Sequence, residues 1–75
     1  MNDARLEKFG ERVRSLRQKA RLSQEELANK VGIHRTYIGG VERGERNLGL
    51  INVLRIADAL EISPVSLFKG IERHS

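Results

Sequence analysis

LSQEELANKVGIHRTYIGGVERGER, residues 22–46, reads as two short helices broken by one tight turn. Ser23 opens the first helix, and Glu26 three residues on completes the S-x-x-E capping box. Leu27, Ala28 and Val31 then form a narrow apolar stripe at helical spacing. Gly32 stands where the chain has to turn left-handed, a conformation without steric cost when there is no Cβ. Ile33 is expected to plug the turn. A second helix follows over about 35–43, with Ile38 and Val41 facing inward, and Gly44 supplies its stop.

Outward from this unit the pattern stays helical. Asn2 or Asp3 can cap a first helix running to about Ala20, whose buried stripe is Leu6, Phe9, Val13, Leu16 and Ala20. After the polar loop 44–49, a fourth helix covers about 50–60, with Leu50, Val53, Leu54, Ala57 and Leu60 at core spacing. Ser63-Pro64 reads as N-cap plus proline at the first helical position. A short fifth helix carries Val65, Leu67 and Phe68 and ends at Gly70, and residues 71–75 are expected to fray. There is no strand alternation, internal repeat or linker. The expected architecture is therefore all-α: one compact five-helix domain over 1–75, with a helix-turn-helix at about 23–43. Ile51, Ile56, Val65 and Ile71 look surplus to the core. Either a wide helix face buries them internally, or the C-terminal helices at about 50–70 pair two subunits, with Ile51, Val65 and Phe68 at the interface.

Composition narrows the chemistry. The 75 residues contain no cysteine, which removes disulfides and zinc–thiolate sites. No apolar run approaches the ~20 residues that span a bilayer, and no signal peptide is visible. The expectation is a cytoplasmic protein with no membrane association. The net charge is +4, and residues 1–22 carry all of the surplus: Arg5, Lys8, Arg12, Arg14, Arg17, Lys19 and Arg21 against Asp3, Glu7 and Glu11. Such a helix either faces a polyanion or is simply a solvated face. Only His34 and His74 are available to a metal, and Asp58 and Glu61 do not form a catalytic pair. No nucleophile–base arrangement or phosphate loop is present, so neither an enzyme nor a cofactor is expected.

The second helix of the central unit begins His34-Arg35-Thr36-Tyr37. In a helix-turn-helix, side chains at this point reach base edges in the DNA major groove. Arg35 offers a planar fork for guanine O6 and N7, and Thr36 a hydrogen bond or a contact with a thymine methyl. The Tyr37 hydroxyl suits a phosphate oxygen, the alternative being half-buried packing. Gln24 lies at the first turn of the preceding helix, where free N–H groups favour phosphate. Arg43, Arg46 and Asn47 flank the exit of the reading helix; they suit the DNA backbone or a minor groove, or else serve only the solubility of a loop. His34 precedes the helix where Ser, Thr or Asp would cap better, and it either meets a phosphate or lies on the surface. Gly39-Gly40 inside a helix costs ~1 kcal/mol per glycine relative to alanine, so a reason is required. The helix either approaches the groove closely there or crosses its predecessor closely.

Leu22-Ser23-Gln24-Glu25-Glu26-Leu27-Ala28, then Val31-Gly32, then Ile38 and Val41-Glu42-Arg43-Gly44, resembles the phage-repressor and Cro-like helix-turn-helix regulators over about 6–70. Within that group, HRTYIGGVERGERNLGLINVLRIADAL is similar to the controller proteins of restriction–modification systems. The resemblance implies a small dimeric activator-repressor. It places Arg35, Thr36 and Arg46 on bases or the minor groove, and Gln24, Tyr37, Arg43 and Asn47 on the DNA backbone. It also implies a structural ion pair between Arg17 and Glu42. Two positions depart from the pattern: Gly49, where a capping Ser or Thr is common, and Gly40, where some relatives carry a base-reading side chain.

The function expected is thus a homodimeric, sequence-specific transcription regulator on double-stranded DNA with an inverted-repeat operator, acting by promoter occupancy and recruiting or blocking RNA polymerase. The alternatives left open are a phage-type or antitoxin-type repressor, and a protein-interaction module built on the same fold.

Overall fold

A computed structural model describes residues 3–71. In chain order the elements are α1 (Ala4–Lys19), α2 (Gln24–Val31), α3 (Arg35–Glu42), α4 (Leu50–Ala59) and α5 (Pro64–Leu67), with no strand among the described residues. Asp3 caps α1 by accepting from the Arg5 N–H at 2.8 Å. The other proposed cap, Asn2, lies outside the described residues, as do His74 and the tail 72–75.

The capping box of α2 is formed on both sides: Ser23 Oγ accepts from the Glu26 N–H at 3.0 Å, and Glu26 Oε1 accepts from the Ser23 N–H at 2.8 Å. Gly32 closes α2 with φ +88°, and the Ile33 N–H returns to the Ala28 carbonyl at 3.1 Å. That bond turns Ile33 onto the core and leaves His34 as the first residue of the next helix's cap. α3 ends in the same way. Gly44 has φ +76°, with Gly44 N–H to Val41 O at 3.0 Å and Glu45 N–H to Gly40 O at 2.8 Å. These two bonds fold residues 45–47 back along α3.

α1 and α2 both pack on α3, α2 also on α4, and α5 closes the bundle against α4 and α1. The centre is dry. Val13, Leu27, Ile38, Val41, Ile56, Ala57 and Leu67 are at most 1% exposed. α1 and α3 approach until backbones touch: a Cβ on Gly10 would lie 2.2 Å from the Val41 carbonyl oxygen. Arg12 Nε donates to the Ser66 carbonyl at 2.8 Å, tying α1 to α5.

Several expected core positions are corrected. Ala20 is exposed because α1 ends one residue earlier, and Leu6 and Leu16 are only partly buried. On α4, Leu50 and Leu54 face outward, while Ile56, read as surplus, is fully buried. The helix is simply rotated relative to the face chosen from spacing, so Val53, Ile56, Ala57 and Leu60 point inward. Ile71 is half-buried against the core. α5 is capped by Ser63 Oγ, which accepts from the Val65 N–H at 3.2 Å, and it stops at Leu67, before Gly70. Gly49 caps α4 without a side-chain bond, as a residue with no side chain must.

Candidate nucleic-acid interface

α3 is held from behind by a buried polar network. Arg17 on α1 donates from Nε to Glu42 Oε2 at 2.6 Å, from Nη2 to Glu42 Oε1 at 3.0 Å, and from Nη1 to the Leu22 carbonyl at 2.8 Å. Gln24 on α2 donates from Nε2 to Glu42 Oε1 at 3.0 Å. One carboxylate thus joins α1, α2 and α3, and no buried side-chain N or O among the described residues lacks a partner. The hydrogen bonds from Arg17 to Glu42 hold the guanidinium in its charged form more firmly than usual; burial opposes this, and the attraction between the charges adds to it. Gln24, expected to lean towards a DNA phosphate, has one amide hydrogen committed inward to Glu42.

With Ile38, Val41 and Glu42 turned inward, the outward face of α3 carries residues 35, 36, 39, 40 and 43 by helical spacing. Arg35 and Thr36 at its N-terminal edge are exposed. Arg35 Nη1 lies 3.6 Å from Glu25 Oε2, with side chains 65% and 64% exposed. Such an open ion pair contributes little and does not hold the guanidinium back.

His34 is exposed, in keeping with one of its two sequence readings, and takes a further role. It is the N-cap of α3: its Nδ1 accepts from the Thr36 N–H at 3.1 Å and meets Thr36 Oγ1 at 2.7 Å. The Thr36 hydroxyl is thereby held against the His34 ring at the start of α3. Its hydroxyl can exchange a hydrogen bond with a base edge, and its methyl can meet a thymine methyl. The signal for this cap was its position, between the left-handed Gly32 and the first apolar residue of α3.

At the other end of α3, Arg46 reaches back along the helix. Its guanidinium carbon sits 5.6 Å from the centre of the Tyr37 ring. The ring supports the cation, and Arg46 remains exposed. Arg43 Nε donates to Glu45 Oε1 at 3.1 Å, and both side chains are more than half exposed. Asn47 is exposed and Tyr37 half-buried. Gly39 and Gly40 do not mark a close crossing with the preceding helix. A Cβ on Gly39 would meet Arg43 Nη1 at 3.1 Å, with Gln24 at ordinary contact distance, and one on Gly40 would meet Arg46 Cγ at 2.7 Å. The close helix crossing lies at Gly10 instead, an isolated glycine within a helical pattern and therefore legible as a packing device.

The basic surplus of α1 is partly used inside the molecule. Arg5 bridges Asp3 at 2.6 Å, Arg17 is buried on Glu42, and Arg12 serves Ser66. Lys8, Arg14, Lys19 and Arg21 remain exposed. Among the described residues no cluster of His, Asp or Glu is placed to hold a metal ion, and no helix is long and apolar enough to cross a membrane. Ile51, Val65 and Phe68 are 61%, 77% and 47% exposed, and Leu50 and Leu54 extend this apolar surface on α4 and α5.

Residues 13–67 match the helix-turn-helix family, which takes in α2, α3 and the turn between them. Over 60 residues, 79% of this chain and 74% of the other, it is 47% identical to the control protein C.BamHI of Bacillus amyloliquefaciens. The chain belongs to the helix-turn-helix family of control proteins. The crystal structure of the restriction–modification controller protein C.AhdI from Aeromonas hydrophila superposes with a TM-score of 0.86 at 55% identity, over 88% of this chain and all of that one. The c2 repressor of Salmonella phage P22, solved in complex with a synthetic operator, superposes with a TM-score of 0.76 at 37% identity, over 83% of this chain and 94% of that one. Helix-turn-helix control proteins and phage repressors therefore share this five-helix arrangement.

Proposed function

We propose that this helix-turn-helix chain is a dimeric, sequence-specific DNA-binding regulator of transcription that controls restriction–modification genes by occupying a promoter. The observation that carries this reading is the Arg35–Thr36 edge: exposed, at the start of α3, on a helix fixed from behind by Arg17, Glu42 and Gln24. A rigid helix with a solvent-facing N-terminal edge is what major-groove readout needs.

Arg35 reads guanine, Thr36 hydrogen-bonds a base edge or meets a thymine methyl, and Arg46 contacts bases or the minor groove. Gln24, Tyr37, Arg43 and Asn47 set the register on the phosphates, Gln24 through the amide atoms that Glu42 leaves free. Two subunits pair through Ile51, Val65 and Phe68, which gives an inverted-repeat operator with half-sites ~34 Å apart. Binding weakens steeply with salt as phosphate contacts release counterions. The dimer acts in the cytoplasm, recruits or blocks RNA polymerase, and performs no catalysis.

The test is to select bound DNA from a random pool and compare wild type with Arg35→Ala and Thr36→Ala on the selected operator. Each truncation is expected to cost ~1–3 kcal/mol of discrimination at one base pair. If both variants bind and drive the adjoining promoter as wild type does, α3 does not read the groove.

A further inference from the structure

We infer that Gly40 is the seat of Arg46, a positioning residue that sets where this arginine meets DNA. The inference rests on the reading of α3 as the groove-reading helix and extends it to a position without a side chain. By helical spacing Gly40 belongs to the outward face of α3, yet it is buried. What covers it is Arg46. A Cβ there would lie 2.7 Å from Arg46 Cγ, 3.3 Å from Nε and 3.6 Å from Cδ, so the arginine stem lies flat in the space a side chain would fill.

Two further features make this a built arrangement. The bonds from Gly44 to Val41 and from Glu45 to Gly40, at 3.0 and 2.8 Å, turn the chain back so that residue 46 returns along the helix it has just left. The Tyr37 ring, one turn earlier, receives the guanidinium at 5.6 Å. The outward face thereby acquires a long cationic side chain at a helix position that encodes none. Because the arginine is laid out in the free protein, less rotamer freedom is lost when it binds. Even alanine would remove the seat. The clash falls on Cγ, close to the backbone, and the relief is a rotation that lifts the whole side chain from Tyr37.

The experiment uses Gly40→Ala, Arg46→Ala and the double variant. Alanine is the better helix former, so Gly40→Ala is expected to melt no lower than wild type. Tyr37 is the only tyrosine and there is no tryptophan. In the DNA-free protein, the side-chain protons of Arg46 are expected to carry a ring-current shift that Gly40→Ala abolishes. On an operator selected from a random pool, Gly40→Ala is expected to weaken binding roughly tenfold, the scale of one lost base contact. In the Arg46→Ala background the same substitution should change nothing further. An Arg46 shift that survives Gly40→Ala would overturn the proposal. So would an equal loss of affinity from Gly40→Ala with and without Arg46, because glycine would then act by its own approach to the DNA. If no DNA is selected at all, the groove-reading function falls, while the proton shifts still decide the seat.

Discussion

The Arg17 guanidinium and the Glu42 carboxylate meet edge to edge, Nε to Oε2 at 2.6 Å and Nη2 to Oε1 at 3.0 Å, with the two residues only 9% and 7% exposed. Little of either side chain is open to solvent. Removing one leaves the other buried and unpaired, which typically costs ~3–5 kcal/mol. Arg17→Met and Glu42→Leu are each expected to lose that much in urea denaturation, and the double variant clearly less than their sum. Additive losses would mean that the pair is not a coupled unit.

Gly10→Ala tests the contact between α1 and α3. Alanine favours a helix over glycine by ~1 kcal/mol. Here its methyl would stand 2.2 Å from the Val41 carbonyl oxygen and 2.6 Å from that of Glu42, and backbone cannot rotate aside. Overpacking of this kind costs ~1–3 kcal/mol or more, so the substitution should lower the melting temperature. An unchanged or raised melting temperature would show that the two helices separate easily.

The capping box carries a pH dependence of definite sign. Hydrogen bonding from the Ser23 backbone, then from its side chain, holds the Glu26 carboxyl below its usual range. A folded-state pKa below the unfolded one stabilises fully above the unfolded value, ~4.3 for a glutamate. That contribution disappears as pH falls through the lower, folded value. Glu26→Gln does not titrate at this site. The stability gap between wild type and Glu26→Gln should therefore narrow below pH ~4. A gap that does not change with pH would remove Glu26 from the acid response.

Pairing of subunits is best probed at Ile51 and Val65. Phe68 is a poorer choice, because its ring also packs on Phe9 at 5.7 Å and truncation would disturb the monomer. Val65 at 77% exposed and Ile51 at 61% have little to lose inside one subunit. Ile51→Asp with Val65→Asp is expected to halve the mass in sedimentation equilibrium and to remove the concentration dependence of thermal unfolding. A double variant that keeps the dimer mass would place the interface elsewhere, and a wild type monomeric at high concentration would remove the pairing itself.

Most helices were legible because their ends carry chemistry: Asp3, Ser23 and Ser63 as caps, Gly32 and Gly44 as stops. Two ends were not marked in this way. Arg21 and Glu61 take left-handed φ of +59° and +56°, and the bonds Leu22 to Arg17 and Ile62 to Ala57 close those turns without glycine. The apolar side of α4, opposite Asn52, Arg55 and Asp58, is plain from spacing, but apolar residues run past both its edges, and packing against α2 and α5 takes Ile56 inward while leaving Leu50 and Leu54 outside. At the candidate site, the identity of the α3 edge followed from its place after Gly32. The commitments of side chains to one another did not. That His34 caps, that Gln24 turns to Glu42 and that Arg46 lies over Gly40 are contacts across three dimensions, and each involves a residue whose type permits several roles.

The bond from Arg12 to the Ser66 carbonyl fastens the C-terminal helices to the same long helix that braces α3. A pair of such subunits would behave as a caliper of fixed gauge, its jaws unable to open without stretching α1 between them. Adding one base pair between half-sites, ~3.4 Å along the duplex, would then have to be absorbed by bending or twisting the DNA.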